Sequence, residues 1–156
     1  MKDTFIIDEN VFIQSHTCKN IKNSADDFSA LGLVFEILSR CHKIGLTPEL
    51  TQKYQEKSKI LEENKKLNPA CIRMWSQLWM RNDKQRYCTS CLNNLSSNIL
   101  HDRHVIEPAV FLSGVLVTTD EKLIERVTAW AKTVNRELRI MSPQQAISHL
   151  QLWQST

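Results

Sequence analysis

The chain has 156 residues, 42% hydrophobic and 24% charged, with 20 Lys and Arg against 17 Asp and Glu for a net charge of +3. That length is expected to form one domain over residues 1–156 and to bury roughly 70% of its unfolded surface, which excludes a disordered chain. Three glycines and four prolines exclude collagen-like and turn-dense all-β architectures, and the mild positive charge neither requires nor excludes a nucleic-acid partner.

Thr4–Ile7 is a β-branched and aromatic run ending at Asp8 and reads as a buried strand. Residues 15–24 are polar and loop-like. Phe28, Leu31, Val34, Phe35 and Leu38 recur at three- and four-residue steps, predicting an amphipathic helix capped by Asp26 or Asp27. Lys43–Leu46 is a second strand, closed by Thr47 as a helix cap and Pro48 in the first turn of a helix to about Glu63. Asn64 to Pro69 breaks it, and a further helix places Ile72, Trp75, Leu78 and Trp79 on one face. Asn82 to Ser97 is polar and predicts no element.

Val105 to Leu112 predicts a helix with Pro108 in its first turn or at a kink, and Gly114 ends it. Val115–Thr118 is the clearest strand. A helix follows from Asp120, with Leu123, Ile124, Val127 and Trp130 inward. Leu138–Met141 is a last strand, and Ser142-Pro143 opens a terminal helix carrying Ala146, Ile147 and Leu150. Strands alternating with helices predict an α/β domain with a mainly parallel sheet covered on both faces.

The five cysteines, Cys18, Cys41, Cys71, Cys88 and Cys91, form no regular framework. With neither a signal peptide nor a membrane span expected, a reducing, cytoplasmic setting without disulfides follows. Met74 and Met80 read as packing residues.

Ligands of open parallel sheets bind at the carboxyl ends of strands. Asp8 follows the first strand and Asp120 lies two residues past the Val115–Thr118 strand, so both are expected on one sheet edge. Paired carboxylates repel unless a cation neutralises them, and hard oxygen donors suit Mg²⁺ or Mn²⁺. Either aspartate alone also reads as a turn former or helix cap.

Ile6-Ile-Asp8-Glu-Asn10, then Asp102-Arg-His-Val-Ile-Glu-Pro-Ala109, Gly114-Val-Leu-Val-Thr-Thr-Asp120 and Arg139-Ile-Met-Ser-Pro143 together resemble the PIN-domain nucleases, which include the VapC-type toxins. The resemblance covers most of the chain in order, with the middle third weakly matched. It implies a three-layer α/β/α fold and a divalent-metal ribonuclease in which Asp8, Asp102 and Asp120 hold the metal. Asn10 and Thr118 would orient carboxylates or waters. It also implies RNA as substrate and a protein antitoxin as a partner.

One position departs from the family. Where the helix after the second strand carries a Glu, this chain has Lys53, with Glu49 and Glu56 a turn to either side. Lys53 is expected to contact the carboxylates or a phosphate, and it motivates the alternative of a degenerate PIN domain that binds RNA or protein without catalysis.

From Lys53 to Arg103 ten cations stand against five acids, interleaved with Trp75, Trp79 and Tyr87, a composition that suits single-stranded RNA. Lys57, Arg103 and His104 are candidate RNA contacts. The tryptophans read more readily as core or homodimer-seam residues than as a stacking surface for bases. Cys88 and Cys91 with His101 and His104 invite a zinc reading, but the spacings are shorter than those of zinc fingers. A receiver-like phosphoacceptor domain also opens on Ile-Asp-Glu, yet no strand-terminal aspartate stands near the middle of the chain.

Overall fold

Four side chains between Thr4 and Ile7 are buried together, and they make β1 (Thr4–Ile7) the centre of the sheet. Burying each of Phe5, Ile6 and Ile7 contributes about 1.5–3 kcal/mol. The computed structural model describes residues 3–93 and 95–154. In chain order follow α1 (Glu9–Thr17), α2 (Ser29–Ser39), β2 (Lys43–Leu46), α3 (Pro48–Glu63), α4 (Pro69–Met80), β3 (Gln85–Tyr87), α5 (Arg103–Phe111), β4 (Val115–Val117), α6 (Glu121–Thr133), β5 (Arg139–Met141) and α7 (Pro143–Gln154).

The strands pair in the order β3-β2-β1-β4-β5, every pairing parallel. Parallel neighbours require crossovers, and right-handed ones put the helices joining β1, β2 and β3 on one face and the helix joining β4 to β5 on the other. Contacts place α1, α2, α4 and the terminal α7 in one layer, while α5 packs on β1, β2 and β4. The result is the expected three-layer α/β/α arrangement.

Local chemistry starts the helices. Thr47 Oγ1 accepts the Leu50 amide at 3.1 Å and Asn68 Oδ1 accepts the Ala70 amide at 2.9 Å, each followed by a proline in the first turn.

The sequence reading errs at three elements. Helix α1 occupies residues read partly as loop, because its buried face is polar: Gln14, Ser15 and His16 are all enclosed. Ser15 Oγ donates to the Phe12 carbonyl and accepts from Trp75 Nε1, His16 Nδ1 lies 2.9 Å from the Phe12 carbonyl, and Gln14 Nε2 donates to Ser29 Oγ at 3.4 Å while its Oε1 is buried without a partner. In α2 the buried residues are Ala30, Leu33, Val34 and Ile37, whereas Phe28 and Phe35 face solvent. The helix is apolar on several sides, so periodicity fits two stripes. The small residues decide between them, since a Cβ on Gly32 would stand 3.2 Å from Ile147 Cδ1 of α7. Strand β3, three polar residues at the sheet edge, carries no hydrophobic signal.

Met80 is 83% exposed, contrary to its reading as a packing residue, while Met74 packs partly against the core. Trp75 is a core residue, edge-on to Phe12 and near-parallel to His16, with Trp79 half-buried beside it.

Candidate metal centre

Strand order reverses direction between β1 and β4: the chain moves outward through β2 and β3, then returns to lay β4 on the other side of β1. A crevice opens at such a switch point because the two flanking connections leave in opposite directions. Asp8 ends β1 there and Thr118 ends β4.

Asp8 is buried and caps α1, its Oδ1 accepting the Glu9 amide at 2.8 Å. Its Oδ2 accepts Thr118 Oγ1 at 2.8 Å, and the Asp8 amide donates to the Val117 carbonyl at 3.0 Å. Burial, reinforced by the neighbouring Glu9 carboxylate, pushes the Asp8 carboxyl up to about 8. The Tyr54 hydroxyl donates to the Ile7 carbonyl just before it.

Glu9, in the first turn of α1, turns its carboxylate toward α5. Its Oε1 lies 2.5 Å from His104 Nε2 and 3.9 Å from Lys53 Nζ. Burial pushes the Glu9 carboxyl up, but contact with His104 and with the Asp8 carboxyl outweighs this and holds it well below the usual carboxylate range. His104 is 5% exposed, and neither ring nitrogen makes an aligned hydrogen bond despite the short approach to Glu9. Pro108 has no N–H for the His104 carbonyl one turn earlier. Thr47 Oγ1 donates to that carbonyl instead, at 3.3 Å, tying the cap of α3 to α5.

One donor atom from each of Asp8, Glu9 and His104 lies within 4.8 Å of the other two, so these residues could hold a metal ion. Among the described residues this is the one group of three or more His, Cys, Asp or Glu donors so gathered. A buried carboxylate beside a partly buried one and a buried imidazole without aligned hydrogen bonds is an expensive arrangement, and a cation offsets it.

Asp102 and Asp120, expected with Asp8 at the metal, are not members of this group. Asp102 is buried, and its Oδ2 accepts from Arg126 Nε at 3.1 Å and Arg126 Nη2 at 3.0 Å, with His101 Nε2 at 3.5 Å. Asp120 caps α6 by accepting the Lys122 and Leu123 amides, while its own amide donates to Thr118 Oγ1 at 3.1 Å. Asp120 and Asn10 line a shallow depression of about 270 Å³. Glu49 and Glu56 are both exposed on α3, so neither takes the place of Lys53.

The expected basic surface is reduced by internal pairing. Lys84 is buried with Nζ donating to the carbonyls of Ile37, Arg40 and His42, closing the end of α2. Arg103 pairs with Glu107, whose Oε2 also accepts the Leu92 amide, and Arg86 reaches Thr4 Oγ1 and the Leu112 carbonyl. Lys57 sits half-buried on α3, one turn beyond Lys53. Cys88, Cys91, His101 and His104 do not gather as a zinc quartet: Cys88 is buried, Cys91 and His101 are exposed, and His104 faces Glu9.

Glu9 is the member of the cluster that the sequence reading did not single out, although it lies inside the quoted Asp8-Glu-Asn10 motif. Acids in a first helical turn are common for dipole reasons alone, so its identity carries little signal. Among the described residues no helix is long and apolar enough to cross a membrane. No family model matches the chain, and no curated protein or solved structure matches it either.

Proposed function

We propose that this protein is a divalent-metal-dependent ribonuclease of PIN type, using Mg²⁺ or Mn²⁺ and restrained in a toxin-like manner by a protein antitoxin. The observation that carries the reading is the convergence of Asp8, Glu9 and His104 within 4.8 Å at the sheet's switch point. A bound dication supplies an acidified water and offsets charge on a scissile phosphate. Within the chain, Asp8 and Glu9 hold that charge, Thr118 fixes the Asp8 carboxylate, and Asp120 adds negative charge beyond the end of β4. Lys53 offers a cation to an approaching phosphate.

The test is incubation of the purified protein with an unstructured RNA and Mg²⁺ or Mn²⁺. Cleavage is expected, with loss in Asp8→Asn at an unchanged circular dichroism spectrum. Equal cleavage by wild type and variant assigns the activity to a contaminant and sinks the reading.

A second reading, a non-catalytic RNA- or protein-binding module, is favoured by two specific contacts. Lys53 lies 3.9 Å from Glu9, and Arg126 engages Asp102, so two of the acids already have cationic partners. RNA binding that is salt-sensitive, persists in EDTA and leads to no cleavage distinguishes it.

A further inference from the structure

We propose that His104 ligates the metal directly and biases the centre toward a transition-metal dication, so that Mn²⁺ is selected over Mg²⁺. The inference rests on reading the cluster as a metal centre, and it deepens that reading by naming the donor that sets cation choice.

Three observations support it. His104 is 5% exposed, and both of its ring nitrogens are buried without an aligned hydrogen bond. A histidine serving only as a structural residue ordinarily satisfies at least one nitrogen, as His16 does on the Phe12 carbonyl. The Nε2 atom lies 2.5 Å from Glu9 Oε1, which places an imidazole nitrogen and two carboxylates around one volume, where an entering dication would take the place of the proton between them. The main chain of His104 is separately anchored, because Pro108 leaves its carbonyl free for Thr47. That anchor fixes the ring from a second element, as ligands that must be preorganised require.

Donor chemistry then sets the preference. Carboxylate oxygens alone suit Mg²⁺ and Mn²⁺ alike, whereas imidazole nitrogen adds little for Mg²⁺ and favours the first-row transition ions. Carboxylates come from β1's end and α1, and nitrogen from α5, so the selecting atom and the charge-carrying atoms sit on opposite walls of the crevice.

The experiment titrates MnCl₂ and MgCl₂ separately into metal-free full-length wild type and His104→Gln, and records pulsed electron paramagnetic resonance of the Mn²⁺-loaded wild type. Expected are imidazole nitrogen modulation in the wild type and a Mn²⁺ affinity that falls about tenfold or more in the variant. Mg²⁺ affinity should change much less, narrowing the Mn²⁺ to Mg²⁺ ratio. The wild-type spectrum needs no variant, so a poorly folding His104→Gln leaves the inference testable. Mn²⁺ bound without nitrogen modulation overturns the role of His104 and leaves the metal centre standing. Binding of neither cation overturns the metal centre itself.

Discussion

Thr118 Oγ1 donates to Asp8 Oδ2 at 2.8 Å across 110 residues of chain, and the same oxygen accepts the Asp120 amide at 3.1 Å. One hydroxyl therefore locks the ends of β1 and β4 together and aims the carboxylate at the crevice between them. Thr118→Val keeps the shape and deletes both interactions. We expect a loss of about 1–2 kcal/mol in stability and a Mn²⁺ affinity lowered roughly 10–100-fold, read by urea denaturation and calorimetry. Unchanged metal affinity would show that Asp8 is oriented by its capping bond alone.

Lys53 places a positive charge 3.9 Å from Glu9 Oε1, with its side chain about one-third exposed. A cation entering the cluster meets that charge, softened by solvent screening. Lys53→Glu is expected to raise Mn²⁺ affinity on the order of tenfold. If the wild type lacks ribonuclease activity, the variant is the one in which it should emerge. Weaker Mn²⁺ binding in Lys53→Glu would argue that Lys53 aligns Glu9 rather than opposing the ion.

His16 and His42 are both buried, and burial lowers each below the ordinary histidine value of 6.5. The folded protein keeps these rings neutral while the unfolded chain takes up protons, so their stabilisation is complete above about 6.5 and declines as pH falls below it. Asp8 acts in the opposite direction, its raised carboxyl favouring the folded state at lower pH. Comparing wild type with His16→Gln removes the Asp8 contribution. The stability gap between the two should narrow from pH 7 to pH 5 in chemical denaturation, and a gap that widens would contradict the buried neutral ring.

Gly114 precedes β4 where the backbone passes β1 closely. A Cβ there would stand 2.2 Å from Ile6 Cδ1 and 3.0 Å from the Thr4 carbonyl oxygen. Gly114→Ala should cost about 1–3 kcal/mol through overpacking of the sheet centre. Adding Ile6→Val removes the nearer clash, so the double variant should lose less than the sum of the two single changes. Strict additivity in thermal melts would place the strain at the Thr4 carbonyl.

Much of this architecture is legible in the sequence, for identifiable reasons. Strands β1, β2 and β4 sit inside the sheet and are short runs of Val, Ile, Leu and Phe, with Thr47-Pro48 and Ser142-Pro143 marking helix starts. Helix α1 escapes the pattern because Gln14, Ser15 and His16 are buried against α2 and α4, through bonds to Ser29 and Trp75 and the stacking of His16 on Trp75, which periodicity does not encode. The facing of α2 is hidden by its surplus of apolar residues. At the site, Asp8 and Thr118 announce themselves as polar residues at strand ends. Glu9 and His104 do not, because their meeting depends on the relative rotation of α1 and α5. Arg126 is equally silent, one cation on the predominantly polar face of α6 until Asp102 is placed beside it.

The position of β1 also imposes a timetable on the nascent chain. It precedes β2 and β4 in the chain yet is flanked by both, and its pairing with Val115–Val117 closes a long loop. Contacts of such sequence separation form late and slow folding. Asp8 and Glu9 are made well before His104 and Thr118, so the cluster waits on segments that follow much later in the chain. Until those later segments dock, the two acids are without their partners, and the assembled cluster belongs to the finished fold alone.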